Sequence, residues 1–368
     1  MFKDVSVPEL LALQEKGKVI TVDVRSPSEF KRDTIPGSLN IPLFNDEERA
    51  EIGTLYKKVG VDAAKKKGLE VVSAKLPSFI NTFGSGEEKG FVVFCWRGGM
   101  RSKTSATVLD LMGLPVYRLQ GGVRAYRQWV VKSLERLELK AEAIVLNGST
   151  GSGKTSILRE LKAEGIPVID LEKMANHRGS IFGQIGLEPN NQKFFDSQFL
   201  QEALQLSSRY FLMEAESKRI GKVMLPESII RKKEEGIQLF IDIPIEARVQ
   251  NILDEYRPWE HQQKFIEAFQ RIKRRIHTPA ATQIENDLKF GRFESAVTLL
   301  LQYYYDPRYR HKEKHFPQNR RITLHVENSE AALDEIRSML QNRKRTIKNG
   351  GNESTIVEKQ RIVGGNEL

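Results

Sequence analysis

One stretch constrains this chain more than any other: Gly148, Ser149, Thr150, Gly151, Ser152, Gly153, Lys154 and Thr155 satisfy G-x-x-x-x-G-K-[ST] in full. The apolar run AIVLN leads into it, and SILRELKAEG, with helical spacing, leads out. Strand, glycine loop and helix in that order are the context that separates a phosphate loop from a chance match. Successive backbone N–H groups from Gly148 to Ser156 then wrap a diphosphate. Lys154 neutralises its outer charge, and the Thr155 hydroxyl reaches a Mg²⁺ ion. The pattern specifies a diphosphate and leaves open which one. Asp170 and Glu214 or Glu216, at later strand ends (VIDLE, YFLMEAES), are candidate magnesium or water-orienting acids. Acids at strand ends are also common helix caps.

A second junction of the same kind lies upstream. The buried-strand pattern FVVFC (91–95) runs into WRGGMRS, after which a helix starts. Gly98 and Gly99 permit unusual dihedrals, so the N–H groups of the loop Trp96, Arg97, Gly98, Gly99, Met100 can turn inward on the sulfur of Cys95. The helix start adds positive potential, and Arg97 and Arg101 add cationic charge. Such surroundings lower a thiol pKa and populate the nucleophilic thiolate. A free Cys at a strand end is otherwise most often a buried structural residue; the Gly-Gly turn and two arginines favour the reactive reading. That reading requires inward-facing amides at the sulfur. The spacing C-x5-R also fits a phosphatase loop. Phe94 stands where such enzymes carry His, however, and no acid loop is evident to protonate a leaving alcohol, so sulfur-type chemistry is the better match.

The 368 residues suit two or three domains, each with its own core. No apolar run approaches the roughly 20 residues needed to cross a bilayer, and the acid-containing start does not read as a signal peptide, so a cytoplasmic, membrane-free protein is expected. A single Cys excludes an internal disulfide and a thiolate metal site. The six His residues show no ligand spacing, so no transition metal is expected. Lys and Arg number 58 against 48 Asp and Glu, a formal charge of +10. That balance admits a polyanionic partner without requiring one. Two clusters suit RNA: RIKRR (271–275), which also reads as a solvated helix face, and YYYDPRYRHK (303–312), whose aromatics and cations fit either base stacking or a packed turn. Strands alternating with helices imply parallel α/β sheets. The expected division is 1–138, 139–245 around the phosphate loop, a helical basic region over 246–345, and a mobile polar tail over 346–368.

DVRSPSEF, IPGSLNIP and FCWRGGMRS, in this order, resemble a rhodanese domain, a sulfurtransferase fold with its Cys at a strand–loop–helix junction. Thr34 stands where many rhodaneses carry His, and the loop is one residue longer than the common pattern, which suggests a larger oxyanion than a persulfide. Fused to a P-loop NTPase-like α/β domain, and with ERAEIGTLYKKVGVDAA, LNGSTGSGKT, MEAESKRIG and YYYDPRY, the chain resembles the bacterial tRNA 2-selenouridine synthase family. The resemblance implies replacement of sulfur by selenium in wobble 2-thiouridine of tRNA. The co-substrates it implies are selenophosphate and geranyl diphosphate, the sulfur leaving as geranylthiol after S-geranylation. Cys95 would then carry or deliver selenium, with Arg97, Gly98, Gly99 and Arg101 on the anionic donor. Gly148 to Ser156 would hold the prenyl diphosphate, and the basic region would grip the anticodon arm, with no stable protein partner. An ATP-dependent tRNA sulfurtransferase or small-molecule kinase carrying a rhodanese module is the alternative enzyme. A non-enzymatic sulfur sensor is a third reading, against which the Cys95 loop with both arginines speaks.

Overall fold

The computed structural model describes residues 1–84, 89–309 and 316–348. Contacts divide the chain into two compact units, Met1–Leu137 with Asn191–Leu200, and Glu138–Asn190 with 201–368. The first unit runs β1 (Lys3–Val5), α1 (Val7–Glu15), β2 (Val19–Asp23), α2 (Pro27–Arg32), β3 (Leu39–Asn40), α3 (Asp46–Lys58), α4 (Val61–Asn81), β4 (Gly90–Phe94), α5 (Met100–Leu111), β5 (Val116–Leu119) and α6 (Gly122–Glu135). Its strands form one parallel sheet in the order β1-β5-β4-β2-β3. β4 reads as a continuous apolar run because both faces of this sheet are covered: every residue from Gly90 to Phe94 is buried.

A buried ionic network closes the C-terminal end of this sheet. Arg25 is fully buried and pairs with Asp23 (Nη2–Oδ2 2.7 Å) and Asp33 (Nη1–Oδ1 3.2 Å), while Thr34 donates to Asp23 at 3.0 Å. Burial alone would lower the Arg25 pKa; the hydrogen bonds and charge of Asp23 and Asp33 outweigh it and hold the guanidinium above its ordinary range. Thr34, in the place of the common His, thus serves to orient Asp23.

The second unit contains β6 (Glu142–Gly148), α7 (Lys154–Ala163), β7 (Val168–Ile169), α8 (Leu171–Ala175), the end of α9 (Gln192–Gln205, whose residues to Leu200 belong to the first unit), β8 (Tyr210–Glu214), the antiparallel pair β9 (Arg219–Ile220) and β10 (Val223–Met224), α10 (Glu227–Glu235) and β11 (Ile237–Asp242). There follow α11 (Ile245–Tyr256), α12 (Gln262–Gln270), α13 (Thr278–Lys289), α14 (Phe293–Leu300), a π-helical turn (Leu301–Tyr305), α15 (Asp306–Tyr309), β12 (Arg321–His325) and α16 (Ser329–Lys348). The parallel sheet has the order β12-β11-β6-β8-β7, so the phosphate loop leaves an interior strand.

Three boundaries differ from expectation. The first ten residues from Asn191 cluster with the first unit, so the linear cut at 138 does not separate the cores. The segment 246–345 is not wholly helical: β12 completes the sheet beside β11, and α16 buries Ala332, Leu333, Ile336 and Leu340 in the core of the phosphate-loop sheet. Of the expected tail, 346–348 end α16, and 349–368 lie outside the described residues. No described helix is long and apolar enough to cross a membrane.

Replacing Arg25 by Ala leaves two carboxylates buried without their cation, a cost of about 3–5 kcal/mol. Denaturant unfolding followed by Trp96 and Trp129 fluorescence should show the first unit losing that much; an unchanged midpoint would contradict the network's role.

Candidate functional site

The phosphate loop and the Cys95 loop share one device. Among the described residues, the backbone N–H groups of Gly151 and of Gly153 to Ser156 donate to no protein acceptor, and the same holds from Arg97 to Ser102. In both cases these are the opening amides of a helix, α7 or α5, aimed off the end of a strand. Helix starts with orphan donors bind anions.

At the phosphate loop, Lys154 Nζ donates to the carbonyls of Gly148 (3.1 Å) and Ser149 (3.3 Å) and to Ser152 Oγ (3.2 Å). Burial pulls this ammonium below the usual lysine range, although Glu214, Glu216 and Glu172 oppose the shift. The loop carbonyls are tied outward by α11. Arg248 Nε donates to Thr150 O at 2.9 Å and Asn251 Nδ2 to Gly151 O at 2.8 Å. Arg248 is itself gripped by both oxygens of Asp306, at 3.1 and 2.6 Å. With the Thr150 carbonyl held on one side, that peptide plane turns the Gly151 N–H to the other.

Asp306 belongs to YYYDPRY, so much of that motif builds this site. Tyr304 is buried, with its ring 5.0 Å from that of Tyr305 and the Arg308 guanidinium 3.6 Å above it. Tyr305 lines an apolar pocket that begins at Thr150. The packed turn therefore describes 304–308, and Tyr303 is exposed; the Tyr309 side chain and residues 310–312 lie outside the described part. In RIKRR, Ile272 is buried and Lys273 pairs with Glu285 at 2.5 Å, while Arg271, Arg274 and Arg275 are exposed without an ion pair among the described residues.

The acids sort differently from expectation. Asp170 Oδ1 accepts the Lys173 N–H at 2.8 Å and caps α8. Glu172 joins Glu214 and Glu216. Its Oε2 accepts the Thr155 hydroxyl at 3.0 Å, and one carboxylate oxygen from each of Glu172, Glu214 and Glu216 lies within 4.8 Å of the others. Both Glu214 oxygens are buried without a hydrogen-bond partner among the described residues. An orphaned buried carboxylate beside two more and a hydroxyl is an oxygen donor set that fits Mg²⁺. Burial first, and the neighbouring carboxylates second, push Glu214 up to about 8 and Glu172 up to about 10. Gly179 closes over this cluster: it has φ +61°, and a Cβ there would lie 2.6 Å from Glu172 Oε1 and 2.7 Å from Glu216 Oε1.

The pocket at Thr150 is walled by Phe182, Ile252, Tyr256, Phe265, Val297, Leu300 and Leu301, among others, with Ser180 at its edge bonded to Tyr256 (2.9 Å). Its cavity volume is about 40 Å³, small beside the several hundred Å³ usual for small-molecule sites. Nothing in the sequence pattern announced it, because its wall is assembled from five separate segments between 150 and 305.

At the other loop, Cys95 is buried, 3% exposed, with Sγ 3.2 Å from Ser102 Oγ. The sulfur is thus enclosed, while the loop amides from Arg97 to Ser102 have no protein acceptor among the described residues. The loop's path is set by backbone contacts: Val123 and Arg124 donate to the carbonyls of Cys95 and Trp96, both at 3.0 Å. A Cβ at Gly122, φ +57°, would fall 2.0 Å from the Cys95 oxygen, so only glycine fits. Arg101 is held by Glu29 at 2.5 Å. Burial pushes that carboxyl up, and Arg101 overcomes this and holds it below its ordinary value. Arg97 is exposed and makes no ion pair among the described residues. Trp96 lies under two cations, Arg25 at 5.9 Å and Lys193 at 5.6 Å. Ser102, Glu29, Glu172 and Arg248 are the site residues that motif spacing alone missed.

Comparison with known proteins matches residues 141–344 to the family model "tRNA 2-selenouridine synthase AAA domain" and residues 6–128 to "Rhodanese-like domain". A tRNA 2-selenouridine synthase of Bdellovibrio bacteriovorus is 33% identical over 337 residues, covering 78% of this chain and 87% of the relative. Another from Nitrosomonas europaea is 29% identical, covering 83% and 92%. Among solved structures, the N-terminal domain of a putative ATP/GTP binding protein from Clostridium difficile is 37% identical over 35% of this chain and 99% of that one, with a TM-score of 0.32.

Two outcomes follow from this geometry. Asp306→Ala removes a charged partner from Arg248 and frees the Thr150 carbonyl; at about 1.5–3 kcal/mol for such bonds, diphosphate affinity should fall by roughly tenfold to a hundredfold in titration calorimetry. Because Glu214 and Glu172 titrate above their unfolded value of 4.5, the ligand-free fold holds protons that the unfolded chain releases. Their stabilisation is complete below about pH 4.5 and is lost as pH rises through about 8 for Glu214 and about 10 for Glu172. The metal-free melting temperature should therefore drop between pH 6 and 9, less so in Glu214→Gln, and Mg²⁺ should raise it more at pH 9 than at pH 6.

Proposed function

Since the chain belongs to the tRNA 2-selenouridine synthase family, we propose that it replaces the sulfur of 2-thiouridine in tRNA by selenium, in the cytoplasm, by way of an S-geranylated intermediate. The observation that favours a prenyl diphosphate over a nucleotide is the apolar pocket that starts at Thr150 of the phosphate loop. A geranyl tail of roughly ten carbons gains about 0.8 kcal/mol per buried CH₂ in such surroundings, whereas a polar base and ribose would leave their hydrogen-bonding groups unmet.

In the first step the uridine sulfur attacks the allylic carbon, a C–S bond forms, the C–O bond breaks and diphosphate leaves. What this departure needs is charge neutralisation. The amides of Gly151 and Gly153 to Ser156 and the ammonium of Lys154 supply it, with Arg248 and Asn251 holding the loop in shape. Thr155, Glu172, Glu214 and Glu216 would hold Mg²⁺, which when bound adds positive charge beside the diphosphate oxygens. Alkylation turns the sulfur into a neutral thioether, a far better leaving group than the thiocarbonyl. In the second step selenium from selenophosphate adds at the same ring carbon, geranylthiol leaves with the sulfur, and water releases phosphate. The orphan amides from Arg97 to Ser102 suit the donor's phosphate-like end, and Cys95, beside Ser102, is the residue assigned to selenium delivery. Glu29 is a positioning residue for Arg101.

Mass spectrometry of tRNA nucleosides tests the division of labour. Cys95→Ala should accumulate S-geranyl-2-thiouridine without 2-selenouridine, and Lys154→Ala should lose the geranylated product. Val297→Trp, which fills the pocket, should raise KM for geranyl diphosphate roughly fifteen-fold if it displaces two methylenes, leaving inorganic diphosphate binding intact. Stabilisation by ATP equal to that by geranyl diphosphate, and indifferent to Val297→Trp, would replace the prenyl reading with the kinase-like one.

A further inference from the structure

Helix α3 buries none of its thirteen residues. It is tied to α4 by ion pairs, Glu48 with Lys75 and Glu51 with Lys67, and only Ile52 reaches the core of the first unit. A helix without a buried face adds little to a fold, so its retention calls for another reason. At the turn between α3 and α4, Tyr56 is 59% exposed, and Val59 and Val61 are 68% and 47% exposed. Around them stand Lys57, Lys58 and Lys66, exposed and without an ion pair among the described residues. Lys65 meets only the fully exposed Asp62, at 3.7 Å. The helix dipole accounts for Lys57 and Lys58 at the end of α3, but not for cations near the start of α4, nor for an aromatic ring left in water.

The other end of α3 is anchored at the Cys95 loop. Arg49 Nε lies 3.7 Å from Glu29, the same carboxylate that holds Arg101. Nine residues separate Arg49 from Lys58, so the turn stands roughly 14 Å along the helix from that anchor at 1.5 Å per residue. We propose that this turn is a docking surface for the substrate RNA, its lysines on the phosphate backbone and Tyr56 stacked on an unpaired base, while the target uridine is presented to the Cys95 loop. Positive side chains around an exposed aromatic are the chemistry that recognises a single-stranded or looped polyanion. The inference rests on the tRNA reading above and adds an RNA-binding surface in the first unit, separate from the arginines of 271–275.

The test uses the full chain and an in vitro transcribed tRNA. Lys57→Gln/Lys58→Gln, Lys65→Gln/Lys66→Gln and Tyr56→Ala should each weaken filter binding by about threefold to tenfold and raise KM for tRNA, with kcat at saturating tRNA retained. In the lysine variants the slope of log K against log salt should shrink by roughly 0.7–0.9 for each phosphate that the protein no longer neutralises. Lys16→Gln/Lys132→Gln, equal in charge change but elsewhere, should leave binding and slope near wild type. Unchanged tRNA binding and slope in the turn variants would overturn the docking surface alone, and would leave an acidic protein as the occupant to seek. A wild-type protein that fails to bind or modify tRNA would overturn the functional reading and this inference together. Melting temperatures equal to wild type confirm that the variants fold.

Discussion

Backbone N–H groups without an acceptor are the feature on which the rest of this molecule depends. A parallel strand that passes through a tight loop into a helix leaves the first turn's donors pointing at one spot. The chain builds this twice, after β4 and after β6. Donors of this kind are open to water or to an anion, and the surrounding residues fix the path of the loop that carries them. At the phosphate loop, Arg248 and Asn251 secure the carbonyls on the far side. At the Cys95 loop, the amides of Val123 and Arg124 do the same for Cys95 and Trp96.

Charge is concentrated around both loops, and around one of them it destabilises the resting fold. Three carboxylates share the space below Lys154, two of them raised far above their solution values by burial and mutual repulsion. In the first unit the buried charges are paired within the protein: Arg25 with Asp23 and Asp33, and Glu29 with Arg101. The first arrangement awaits a cation and a polyanion; the second is a finished scaffold that sets where a reactive loop sits. This difference agrees with their assigned roles, one loop stabilising a departing diphosphate and the other orienting a delivering atom.

On the reading proposed above, the apolar pocket would give the diphosphate site its specificity. A phosphate loop accepts any diphosphate, because its amides read only oxygen. Discrimination comes from what lies beyond Thr150, where Tyr305 and the residues of α11 and α14 present hydrocarbon. Asp306, next to Tyr305 in sequence, anchors Arg248, so one short segment serves both the anion cradle and the wall of the tail pocket.

Both loops were readable from sequence because each is encoded within about ten consecutive residues: a β-branched run, glycines for the turn, then helical spacing. The parallel α/β class followed from the same alternation. What the linear pattern left open were partnerships across distance. Glu172, which the linear pattern did not single out, joins Glu214 and Glu216 in the acid cluster, while Asp170 Oδ1 caps α8. The role of YYYDPRY became visible only when Asp306 met Arg248, itself 98 positions from Thr150. Residues 321–348, expected in a helical appendage, returned to the sheet because β11 had an open edge and α16 an apolar face to bury. Sequence by itself determined which anions the chain can bind, since local dihedrals and donors decide that. Tertiary structure decided where an apolar cavity lies beside Thr150 and which acids cluster at Thr155, since hydrocarbon walls and buried carboxylates are assembled only by packing.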